Sequence, residues 1–132
     1  MREKPILTSW QALLDYLRAD MAHLINERVR VLHLDSKNQL IRDELVSEGS
    51  IDQSAIYTRE VIKRALELGS AAIIIVHNHP SGDPRPSDED HTLTQRLIAA
   101  GDILGIRVLD HIVIGDGKYV SFADEGFFAT NA

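Results

Sequence analysis

Hydrophobic positions along this chain change their period several times, and each change marks an element. Trp10, Leu13, Leu14, Leu17, Met21 and Leu24 recur at helical spacing behind Thr8-Ser9, a plausible cap, so residues 9 to 24 are predicted to form an amphipathic helix. Arg28 to Asp35 (RVRVLHLD) is then predicted as a strand, Ser36-Lys37-Asn38 as a turn, and Gln39 to Val46 as the antiparallel hairpin partner. Behind Ser50-Ile51-Asp52-Gln53-Ser54 a second helix is expected over about residues 55 to 68, with Val61, Ile62, Ala65, Leu66 and Leu68 apolar and Gly69 as its stop.

Ala71 to Val76 is short, β-branched and bounded by breakers, the pattern of a buried strand. It stops at His77-Asn78-His79-Pro80, where Pro80 has no N–H to give a ladder and biases His79 towards an extended backbone. The loop Ser81 to Pro86 is polar and stiffened by two prolines. Ser87 at an N-cap, acids in the next turn and the stripe Leu93, Leu97, Ala100, Leu104 predict a third helix. After Gly105, Ile106 to Ile114 is expected as a strand, Gly115-Asp116-Gly117 as a tight turn and Lys118 to Phe122 as the closing strand. The order helix, hairpin, helix, strand, loop, helix, hairpin predicts an α/β fold with a mixed sheet between helices.

Composition narrows what such a domain can be. At 132 residues with 44% hydrophobic positions, residues 1 to 132 form one domain with enough apolar side chains for a core. Without cysteine there is no disulfide, no thiolate metal site and no cysteine nucleophile, and a zinc deaminase, which needs P-C-x-x-C, is excluded. Net charge is −6 and the arginines are dispersed, so direct nucleic-acid binding is not expected. No apolar run reaches membrane length and Met1-Arg2-Glu3-Lys4-Pro5 lacks the apolar core of a signal peptide, which leaves the cytoplasm as the expected compartment.

The chemistry concentrates between His77 and Asp90. On a strand His77 and His79 share a face, with Cα atoms roughly 6.6 Å apart, from which two imidazoles can converge on one ion while Asn78 points away. Asp90 would lie in a helical first turn beside that strand end. Ser87-x-x-Asp90 also has a plainer reading, a capping box with Asp in place of Glu. A base would have to be a glutamate, and the residues alone leave Glu27, Glu44, Glu48 and Glu60 nearly equal. Glu27, by parity with Val29, Val31 and His33, is directed inward at a strand end. His111 could support the site or be a core histidine, and His23, His33 and His91 are simplest as structural or solvated residues.

The pattern H-x-H, seven residues, S-x-x-D in HNHPSGDPRPSDED resembles the JAMM (MPN+) zinc-hydrolase motif as found in the bacterial RadC family. The similarity extends through Arg59-Glu60-Val61, Leu104 to Val108, Asp110-His111, Gly115-Asp116-Gly117 and Val120-Ser121-Phe122, covering about residues 10 to 128. The resemblance implies a JAMM fold, itself similar to cytidine deaminases, with His77, His79 and Asp90 as Zn2+ ligands and Ser87 assisting the oxyanion. It selects Glu27, which opens the strand ending in Leu-Asp, as general base. The implied activity is a metallopeptidase or isopeptidase on an unidentified peptide or protein substrate. The rival expectation is a metal-binding interaction module of DNA repair with little turnover. Family members commonly carry an N-terminal helix-hairpin-helix-like region, which has no counterpart here.

Overall fold

The computed structural model of the chain describes residues 10–21, 26–48 and 54–128. Its elements are α1 (Trp10–Met21), β1 (Arg28–Leu34), β2 (Leu40–Glu48), α2 (Ser54–Leu68), β3 (Ala72–Asn78), α3 (Asp88–Leu104), β4 (Arg107–Ile114) and β5 (Tyr119–Ser121). The five strands make one mixed sheet in the order β2-β1-β3-β4-β5, antiparallel except for β3 against β4. The expected architecture is therefore present. Thr8, Ser9, Leu24 and residues 50–53, which the first two helix predictions used, lie outside the described residues, as does His23.

Each face of the sheet buries one apolar layer. Leu32, Leu34, Ala72, Ile74, Val76, Ile112 and Ile114 pack under Leu13, Leu14, Leu17 and Met21 of α1. Val29, Val31, Ile73 and Ile75 pack under Val61, Ile62 and Ala65 of α2 and Leu93 and Leu97 of α3. β3 is buried along its whole length because both of its alternating rows are covered.

Two predicted apolar positions are exposed. Leu66 falls on the flank of the Val61–Ala65–Leu68 stripe rather than beneath it, and Leu104 ends a helix whose last buried position is Gly101. At Gly101 a Cβ would stand 2.2 Å from the Ile106 carbonyl, so only glycine lets α3 settle there onto the chain entering β4. In the β1–β2 turn Asn38 takes the left-handed conformation, and Asp35 Oδ1 accepts from the N–H groups of Lys37 and Gln39. Among the described residues no helix is long and apolar enough to cross a membrane.

Candidate metal centre

Parity along β3 decides what its end presents. Ile73 and Ile75 face α2 and α3, so His77 continues that row and meets the first turn of α3. The strand runs two residues further than the apolar pattern suggested, ending at Asn78, and His79 N–H still donates to the Ile114 carbonyl at 2.8 Å. α3 opens with a capping box in which Ser87 Oγ accepts from Asp90 N–H at 3.1 Å and Asp90 Oδ2 accepts from Ser87 N–H at 2.8 Å. The plainer reading of Ser-x-x-Asp thus holds, and it serves the site, because the same bonds aim the Asp90 carboxylate at β3.

The three side chains converge. His77 Nε2 lies 3.0 Å from His79 Nε2 and 3.1 Å from Asp90 Oδ1, and His79 Nε2 lies 3.3 Å from Asp90 Oδ2. His77 and Asp90 are buried and His79 partly so. His79 is held from behind, its Nδ1–H donating to the Asp83 carbonyl at 2.9 Å; a carbonyl only accepts, so the Nε2 lone pair is left facing the cluster. The loop carrying Asp83 is clamped to the β4–β5 turn by Asp116 N–H donating to the Gly82 carbonyl. A Cβ on Gly115 would come within 2.3 Å of that carbonyl, so the approach requires glycine.

Charge at this point is unbalanced. Asp90 Oδ1 is buried without a hydrogen-bond partner, the His77 contact being close but poorly aligned, and among the described residues no lysine or arginine pairs with Asp90. Burial acts to raise the Asp90 pKa, but the adjoining His77 and His79 imidazoles outweigh it and hold the carboxyl well below the usual range. A protonated His79 would donate to Asp90 Oδ2, 3.3 Å away, and this stabilisation of the charged ring, working against burial, raises the pKa of His79. The cluster therefore favours positive charge at its centre. A tetrahedral ion with bonds of 2.0–2.1 Å separates its ligand atoms by roughly 3.3 Å, which the spacing of these donors approaches, so the residues fit a metal such as zinc.

Glu27 enters from β1, with Oε2 4.0 Å from His79 Nε2. Asn78 places it: Asn78 Oδ1 accepts from Arg28 N–H at 2.8 Å and Nδ2 donates to the Asn26 carbonyl at 3.0 Å, holding the chain on either side of Glu27. Glu44 instead pairs with Arg64 at 2.8 Å, Glu60 is exposed on α2, and the Glu48 side chain lies outside the described residues. Glu27, His77 and His79 form one group able to hold an ion, and His77, Asp90 and His111 a second that shares His77.

The remaining histidines separate clearly. His111 is fully buried on β4, its Nε2 2.9 Å from His77 Nδ1, on the ring edge turned away from the His79–Asp90 side. Burial, then the charge of His77, pushes the His111 pKa down. His33 is buried against Ser70 Oγ at 2.8 Å, and its pKa is lowered to about 4, chiefly by burial. His91 is exposed, its ring against Phe122 and Phe127. Sequence reasoning missed the role of Asn78, since an asparagine does not announce a contact across the fold.

A family model described as the RadC-like JAB domain matches residues 7–127. A UPF0758 protein of Rhodobacter capsulatus is 52% identical over 124 residues, which is 94% of this chain and 58% of that protein. UPF0758 proteins of Ruegeria pomeroyi and Pelobacter propionicus are 48% and 51% identical over 125 and 119 residues, 95% and 90% of this chain and 56% and 52% of theirs. The chain thus spans little more than half the length of these curated relatives, whose names state no reaction.

Proposed function

This chain belongs to the family of RadC-like JAB domains, and from that premise we propose that it is a zinc-dependent hydrolase of an amide bond in a peptide or protein. The observation that carries the reading is the buried, unpartnered Asp90 Oδ1 beside two imidazole Nε2 atoms. His77, His79 and Asp90 would hold the ion, and three protein ligands rather than four is the number found at catalytic zinc. Bound there, zinc supplies Lewis acidity, polarising a carbonyl and making water nucleophilic near neutral pH.

The chain's own groups then divide the remaining work. The Glu27 carboxylate, 4.0 Å from His79 Nε2, accepts the proton of the attacking water and returns it to the leaving amine. Ser87 Oγ accepts from Asp90 N–H through a lone pair, which leaves its own hydrogen available to the developing oxyanion. Asp90, fixed by the helix cap, keeps its charge through the cycle. Zinc content of the purified chain, with a peptide-cleavage screen of wild type and Glu27→Gln, tests the reading. One zinc per chain in both proteins, with cleavage in the wild type only, supports it. Zinc in both with no cleavage in either leaves the metal-binding interaction module in its place.

A further inference from the structure

His77 has two ring nitrogens, and only Nε2 faces His79 and Asp90. Its Nδ1 begins a second series of contacts: 2.9 Å to His111 Nε2, then 2.6 Å from His111 Nδ1 to Thr94 Oγ1, then 2.9 Å from Thr94 Oγ1 to the Asp90 backbone carbonyl. His77, His111 and Thr94 are each fully buried, so water does not complete the series.

Neutral groups can fill these contacts in two directions. In one, the His77 Nδ1–H donates to His111 Nε2, the His111 Nδ1–H to Thr94 Oγ1, and the Thr94 hydroxyl to the Asp90 carbonyl, leaving the His77 Nε2 lone pair directed at His79 and Asp90. In the other, every hydrogen points back, Nε2 of His77 carries a proton and cannot ligate, and the Asp90 carbonyl receives nothing from Thr94. The Thr94–Asp90 contact is made in the first direction only, whereas the second lets His77 Nε2–H donate to His79 Nε2 at 3.0 Å; a cation held between His77, His79 and Asp90 is compatible with the first direction alone. His79 needs no such device, because the Asp83 carbonyl already fixes its tautomer.

We propose that Thr94 and His111 are positioning residues that hold His77 with its proton on Nδ1 and its Nε2 free for the metal. This rests on the metal centre proposed above. The surroundings hold the His111 ring in the required plane: Phe122 stacks on it at 4.6 Å between centroids and 14° between planes. Asp110 in turn fixes the Phe122 segment, accepting from the N–H groups of His111 and Ala123 and from the Ser121 hydroxyl. The Asp110-His111 pair of the sequence thereby acquires a role. Thr94 stands one turn beyond Asp90 on α3, so one helix delivers both the carboxylate and the end of the chain of hydrogen bonds.

The test is Thr94→Val, which keeps shape and removes the hydroxyl, with Thr94→Ser as the conservative variant. Zinc affinity is measured by competition with a chromophoric chelator, and the His77 tautomer in the zinc-free protein at mildly alkaline pH by long-range 1H–15N NMR. We expect affinity to fall roughly 10- to 100-fold in Thr94→Val and to be restored in Thr94→Ser. The Nδ1–H form of His77 is expected in the wild type and lost in Thr94→Val. Unchanged affinity in Thr94→Val overturns the proposal, as does reduced affinity with an unchanged tautomer, which marks a merely structural effect. A wild type with the proton on Nε2 also overturns it, whether or not the variants fold. Failure of the wild type to take up stoichiometric zinc rejects the metal centre itself, a separate result.

Discussion

Two histidine–carboxylate clusters sit on the same sheet, and they solve the same electrostatic problem in opposite ways. Around His33, the Glu44 carboxylate is met by Arg64 at 2.8 Å, and the buried imidazole is satisfied by Ser70. The positive charge is built into the chain, so this cluster is complete as folded. Around His77, the Asp90 carboxylate has two imidazoles and no lysine or arginine partner among the described residues, and one of its oxygens is left without a hydrogen bond. A buried carboxylate is tolerated only with compensation. Where the chain omits its own cation, the geometry is suited to receiving one.

Removing ligands from each cluster should break this contrast most sharply. His77→Ala or Asp90→Ala should lower zinc affinity by several orders of magnitude, measured by chelator competition, whereas Glu44→Gln should leave it unchanged. Next in size, Glu27→Gln should slow hydrolysis about 10²- to 10⁴-fold while zinc content, by elemental analysis, stays at the wild-type level. Equal loss of zinc in Glu27→Gln would make Glu27 a ligand rather than a base.

Acid separates the clusters by a smaller amount. The folded pKa of His33, about 4, lies below its unfolded value, so between these values the unfolded chain binds the extra proton and stability falls as pH falls. Denaturant unfolding of the zinc-free protein should show about 2 kcal/mol of His33-dependent loss between pH 7 and pH 5, absent in His33→Leu. His79 has a raised pKa, so protons compete with metal as pH drops, and zinc affinity should weaken on acidification. The smallest effect is expected for Arg64→Met, whose solvent-screened pair with Glu44 should leave the same unfolding curves almost unmoved.

The sequence by itself determined the elements and the local half of the site. Alternation through Ile73 and Ile75 carries His77 onto the α3 face, Pro80 ends the strand behind His79, and the Ser87–Asp90 cap aims a carboxylate. All three depend on neighbours a few residues apart, where period and capping chemistry act. Tertiary structure alone decided the rest. Among the glutamates the residues left level, Glu27 reaches His79 because β1 pairs beside β3 and Asn78 grips the chain around it across fifty residues. His111 reaches His77, 34 positions away in sequence, because β4 lies parallel on the other side of β3. Those contacts follow from strand order and register, which loop closure and packing select together, and no local pattern encodes them.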